Sequence, residues 1–129
     1  MSFNTSLAES FFAASAAGDA AAMAALCADD IAVRQNSGPI LGVAAVTGLA
    51  RAVKRAAPDF RYENPVRSDT GGGFVEEHDV CGTLADGTSF RVAVCVVATV
   101  GGGRITSMHE YLDTAEAKPL FDALSRPRA

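Results

Sequence analysis

Between Thr70 and Asp113 glycine turns cut the chain into three runs of strand-forming residues, and this pattern constrains the fold more than any other feature. Gly71-Gly72-Gly73 leads into Phe74 to Thr83, Asp86-Gly87 turns the chain, and Ser89 to Val100 returns. Gly101-Gly102-Gly103 then leads into Ile105 to Asp113. Alternating apolar runs joined by Asp-Gly and glycine-rich breaks are hairpin signals, so this half of the chain reads as an antiparallel meander. Neither glycine triplet opens a helix, and neither is therefore a phosphate loop.

Successive side chains of a strand point to opposite faces, which lets each run be read twice. In the last run Thr106, Met108, Glu110 and Leu112 share one face, and Ile105, Ser107, His109, Tyr111 and Asp113 the other. A carboxylate between Met108 and Leu112 is either solvated at a rim or held in a cavity, because burying an unpaired charge is costly. The first run carries charge on both faces, Phe74, Glu76, His78 and Val80 against Val75, Glu77, Asp79 and Cys81. The middle run, Phe90, Val92, Val94 and Val96 against Arg91, Ala93, Cys95 and Val97, is nearly all apolar and is expected to be covered on both sides.

The first half reads as helical with a strand inserted. Ser6-Leu7-Ala8-Glu9 has the form of a capping box, followed by a stripe of Leu7, Phe11 and Ala14 up to Gly18. Asp19 caps a second short helix, Ala20 to Leu26. Asp29-Asp30 turns the chain into a strand from Ile31 to Asn36, and a third helix runs from Val43 to Ala57 before Pro58. Phe60 to Ser68 is a strand whose Pro65 places it at an edge or a bulge, and Ala115 to Leu124 is a last short helix. Helices first and a meander after give an α+β fold. A curved, cone-shaped sheet wraps its apolar face around the N-terminal helices, with a pocket between.

The chain's 129 residues, 49% hydrophobic and 20% charged, suit one globular domain spanning residues 1–129. A net charge of −4 with scattered basic residues argues against nucleic acid, and the absence of a long apolar run argues against a membrane span. The start lacks a secretory pattern, so a cytoplasmic location is expected. Cys27, Cys81 and Cys95 are odd in number and widely spaced, which favours reduced thiols and no metal site. With only two histidines at no ligand spacing, His78 and His109 are read as polar residues of the outer face.

The residues from Glu76 to Asp113 resemble the limonene-1,2-epoxide hydrolase family, within the nuclear transport factor 2-like, polyketide-cyclase-like (SnoaL-like) superfamily. The similarity lies in Glu76-Glu77-His78-Asp79-Val80, the Leu84 to Phe90 turn and the Gly103-Arg104-Ile105 to Asp113 end, with Arg34-Gln35-Asn36 where that family has tyrosine-glutamine-asparagine. The resemblance implies a cone-shaped α+β dimer and cofactor-independent, one-step water addition to an epoxide. Its water-activating acid falls on Glu110, its proton donor on Asp79 and its water-holding asparagine on Asn36. Its bridging arginine falls on Glu77 and its tyrosine on Arg34.

These readings give specific expectations. Glu110, Asp79, Asn36 and Arg34 form a catalytic group, with Glu77, Cys81, Val92, Val94, Met108 and Leu112 around it in the pocket. Three facing acids need a cation, and Arg34 is expected to supply it. The ligand is a small apolar molecule, handled by a hydrolase or isomerase without cofactor, or merely held by a binding module of the same fold. The outer sheet face bearing Val96, His109 and Tyr111 is expected to pack against a second copy of the chain. Tyr62, Tyr111 and Asp113 are read as interface or strand-end residues.

Overall fold

A computed structural model describes residues 2–126. In chain order it contains helices α1 (Phe3–Ala16) and α2 (Ala20–Ala25), strand β1 (Cys27–Gln35), helix α3 (Val43–Ala56), strands β2 (Arg61–Asp69), β3 (Gly73–Thr83), β4 (Ser89–Gly101) and β5 (Arg104–Leu112), and helix α4 (Thr114–Ser125). The strands form one sheet in the order β1-β5-β4-β3-β2. β2 to β5 pair antiparallel as the glycine turns require, and β1 joins the free edge of β5 in parallel. The architecture is α+β with a curved mixed sheet, as the order of elements in the sequence implies.

Local chemistry sets most element ends. α1 starts a turn earlier than the Ser6 capping box suggests: the Ser2 hydroxyl accepts from the Thr5 backbone N–H, leaving Ser6 inside the helix. Asp19 caps α2 by accepting from the Ala22 N–H. Asp29-Asp30 does not turn the chain. Both residues lie within β1, exposed, in a stretch where the register against β5 slips between Cys27 and Ala32. A local irregularity absorbs them and the strand continues. Pro65 behaves as its chemistry demands, on edge strand β2 at a register shift between Glu63 and Val66, where Asn64 takes a φ of 57°.

The helices cover one face of the sheet. Phe74, Val92, Val94, Val96, Ala98 and Met108 are buried there against Leu7, Phe11, Phe12 and Met23. Each such apolar side chain contributes about 1.5–3 kcal/mol by leaving water. Phe12 is the hub, meeting the rings of Phe11, Tyr62, Phe74 and His78 edge-on. At the start of β3 the backbone passes so close to β4 that a Cβ on Gly73 would lie 1.9 Å from the Ala98 carbonyl oxygen. Glycine is obligatory there for space rather than for curvature alone.

Among the described residues no layer of helices covers the opposite face. On β4 the helices cover one side, where Val92, Val94, Val96 and Ala98 are buried, while Arg91, Ala93, Val97 and Thr99 of the other parity are exposed in the single chain, on the face where a second copy is expected. Val96, expected on the outer face, is fully buried on the inner one, in register with Glu110 and Glu76. Among the described residues no helix is long and apolar enough to cross a membrane.

Candidate functional site

The register places a polar row across the middle of the inner face. Gln35 on β1 pairs with Glu110 on β5, Glu110 with Val96 on β4, Val96 with Glu76 on β3, and Glu76 with Arg67 on β2. Two acids thus face the helices from strands separated by one apolar residue, with backbones about 10 Å apart, two strand spacings. Each acid has its own partner. Gln35 donates through Nε2 to Glu110 Oε2 at 3.1 Å. Arg67 donates through Nε to Glu76 Oε1, and the other Glu76 oxygen meets His78 Nδ1 at 2.6 Å.

Between this row and the helices lies a cavity of about 110 Å³. Its walls are largely apolar, from Phe11 and Phe12 of α1, Val46, Leu49 and Val53 of α3, Leu120 and Leu124 of α4, and Val92, Val94, Met108 and Leu112 of the sheet. The polar groups reaching it are few: Glu110, Gln35, His78, Tyr62 and Ser15. Such a balance, an apolar hollow with a small set of converging polar atoms, is that of small-molecule sites.

The electrostatics follow from the enclosure. Burial pushes the Glu110 carboxyl up from the ordinary glutamate value, opposed by the Gln35 hydrogen bond and by the nearby His78. The Tyr62 hydroxyl is also pushed up, again chiefly by burial, against its 2.8 Å hydrogen bond with Ser15 Oγ. Tyr62 therefore stays a neutral hydroxyl at any physiological pH. Glu76, fully buried, is satisfied by two partners, as a carboxylate without water must be.

The structure divides the residues singled out in the sequence. Glu110, Val92, Val94, Met108 and Leu112 line the cavity. Asp79, Glu77 and Cys81 have the other parity of β3 and point to the outer face, so Asp79 and Glu110 do not share a pocket. Asp79 is bonded there by Arg91 at 2.9 Å and Asn64 at 3.1 Å, and Arg91 also holds Glu63. The cation among the outer acids is Arg91. Arg34 instead donates to the Gly38 carbonyl at 3.0 Å and, among the described residues, meets none of the three acids. The expected transfer of the guanidinium to Arg34 is not what the chain does.

Cys81 is buried between its register partners Arg61 and Arg91, and burial pushes its thiol up. Asn36 takes a φ of 48° at the end of β1 and grips β5, donating to the Leu112 carbonyl and accepting from the Leu112 N–H, both at 3.1 Å. With Glu77, Asp79, Asn64 and Tyr111 it lines an open hollow on the outer face. His109 is on that face as expected, stacked on Tyr111 and bonded to the Asn36 carbonyl. His78 is not: it faces the cavity, as does Tyr62, whose role is neither strand-end nor interface. Asp113 caps α4 by accepting from the Ala115 N–H.

Glu76, His78, Tyr62, Gln35 and Ser15 are thus the polar groups of this region that residue types alone did not flag. A signal existed on β3: Phe74 and Val80 bracket Glu76 and His78 as Met108 and Leu112 bracket Glu110, which marks the same inward parity.

Comparison with known proteins agrees with this architecture. No curated protein matches the chain by sequence. A candidate polyketide cyclase from Xanthomonas campestris pv. campestris superimposes with a TM-score of 0.78 at 22% identity, covering 95% of this chain and 97% of the other. A candidate isomerase from Bacillus subtilis gives 0.78 at 15% identity, covering 94% of each. A protein with a ketosteroid isomerase-like fold from Catenulispora acidiphila, solved with trimethylamine, gives 0.77 at 17% identity, covering 94% of this chain and 97% of the other. The model of the SnoaL-like domain matches residues 8–108, a span that runs from the cavity's first helix to the strand carrying Glu110, and the chain belongs to that family.

Proposed function

We propose that this protein is a cofactor-independent acid–base enzyme acting on a small, largely apolar molecule, and that Glu110 carries the proton. The observation behind this is a single carboxyl held by Gln35 in a largely apolar cavity, with its pKa raised by burial. A carboxyl whose pKa is raised by burial holds its proton more firmly than a solvated one and is suited to give it as well as take it. Isomerisation needs only that one group return what it removes. One-step water addition to an epoxide needs a base on the water and an acid on the ring oxygen, and the residue aligned with the family's acid, Asp79, lies on the outer face. Isomerase chemistry is therefore the first reading and epoxide opening the second. The fold relatives described as isomerase or cyclase support this order, and the trimethylamine complex supports small-molecule binding.

The test uses cyclohexanone and cyclohexene oxide, which report proton abstraction as deuterium uptake from D₂O and ring opening as diol. Wild type is expected to accelerate one of them, and Glu110→Gln, which keeps shape and removes the proton carrier, to lower that rate about a hundredfold. If Glu110→Gln matches an active wild type, Glu110 is not the proton carrier; if wild type accelerates neither, catalysis is refuted. The reading left is a binding module, which the apolar walls of the cavity would serve equally well.

The same proposal includes a homodimer through the outer sheet face, where Val97 and Tyr111 are 43% and 49% exposed and Val66 is 60% exposed. Light scattering at micromolar concentration is expected to give twice the chain mass. A monomer that persists to high concentration would refute it.

A further inference from the structure

The cavity contains a second device that the reading of Glu110 leaves unused. Glu76 is the most deeply buried charged residue described, at 0% exposure, and it is spent on holding one ring. Its Oε2 binds His78 Nδ1 at 2.6 Å, while its Oε1 takes the Arg67 Nε–H. Arg67 is 21% exposed and reaches on toward Glu9 at 3.8 Å, so the chain of contacts runs from the surface to the cavity wall. His78 itself is 4% exposed and clamped between the rings of Phe12 and Tyr62, with centroids at 4.9 and 4.6 Å. Its Nε2 has no hydrogen-bond partner among the described residues, and the ring lines the cavity.

We infer that His78 is a second catalytic residue, with Glu76 and Arg67 as its positioning residues. This rests on the acid–base reading of the cavity. A carboxylate can only accept from Nδ1, so it fixes the neutral ring as the Nδ1–H tautomer and leaves the Nε2 lone pair facing the ligand. Arg67 is the element that makes this usable. It supplies Glu76 with a counter-charge at one oxygen, which leaves the other to take the His78 Nδ1–H.

The step balances within the cavity. Nε2 takes a proton from one atom of the bound molecule while the Glu110 carboxylic acid gives its proton to another. The ligand ends as a proton isomer, and the protein as imidazolium and carboxylate. Arg67, Glu76, His78 and Glu110 sum to zero charge before and after, so no net charge is created in an apolar enclosure. Return of the proton from His78 to Glu110, directly or through water, resets the site.

The experiment is a long-range ¹H–¹⁵N correlation spectrum of the full chain, with His78 assigned by comparison with His78→Gln. Wild type is expected to show the Nδ1–H tautomer. Glu76→Gln can turn its amide N–H toward Nδ1 and is expected to convert the ring to Nε2–H, with a fall in cyclohexanone exchange that approaches the roughly hundredfold loss of a general base. His78→Gln is expected to lose about a hundredfold. An Nε2–H ring at His78 in wild type overturns the inference. So does His78→Gln turning over the probe at the wild-type rate while Glu110→Gln does not, which would leave the Glu110 reading standing. If wild type turns over neither probe, both readings fall, and an Nδ1–H ring would then report a structural clamp only.

Discussion

The two faces of the sheet solve the same electrostatic problem in opposite ways. On β3 alone, Glu76 and His78 point inward and are buried, while Glu77 and Asp79, one residue along, point outward. The inner acids are few, Glu76 fully buried and Glu110 half-buried, each with fixed partners. The outer ones are joined by exposed guanidinium groups, Arg91 bridging Glu63 and Asp79 and Arg61 bridging Glu63 and Asp59. Acids of the same type in adjacent positions therefore differ in what they cost and in what they can do. A buried carboxylate must be matched and then holds its neighbour rigidly, whereas an exposed one is matched by water whether or not an arginine is near.

Removal of an inner acid should separate the two faces most. Glu76→Ala leaves Arg67 and His78 without their partner in a dry site and is expected to cost about 3–5 kcal/mol, the range for breaking a buried ion pair. Glu77→Ala should leave the denaturant midpoint where it was. Equal effects would mean the inner face is wetter than its packing implies.

Glu110 sharpens the contrast through pH. Burial raises its pKa in the folded chain, so the fold holds a proton that the unfolded chain releases. That contribution is fully present below the ordinary glutamate value and is lost as pH rises through the raised one. Glu110→Gln, neutral throughout, should therefore melt higher than the parent at pH 8, with the gain shrinking as pH falls toward 4. A gain that is constant with pH would show that Glu110 is solvated. The outer face gives the smallest effect: Arg91→Gln should change stability little, and salt should erase what change there is.

Much of this was readable in the chain. The meander followed from its glycine turns, the edge position of β2 from Pro65, and the α2 cap from Asp19, because each rests on a local backbone constraint. Alternation also separated the residues of β3 correctly into two sets. What it lacked was the sign: both sets carry acids, so polarity alone does not say which is inside, and a resemblance that put Asp79 beside Glu110 chose the wrong set. The bracketing aromatic and aliphatic residues hold that information, since Phe74 is far costlier to expose than Val75. The partner of Asp79 was out of reach for a different reason. Arg91 lies across a strand pair, and only the register, set by the length of the Asp86-Gly87 turn, brings it there.

The parallel pairing of β1 with β5 has a consequence for how the chain is made. Gln35 waits 75 residues for Glu110, whereas each meander strand meets its neighbour across a short turn. During synthesis β1 leaves the ribosome long before its partner exists. Ile31 and Val33 then have α2 and α3 to shelter them, and the strand's hydrogen-bonding edge toward β5 stays open until β5 has emerged. Since Gln35 is what grips Glu110, the cavity's carboxyl acquires its holder in that same late closure, when β1 docks onto β5.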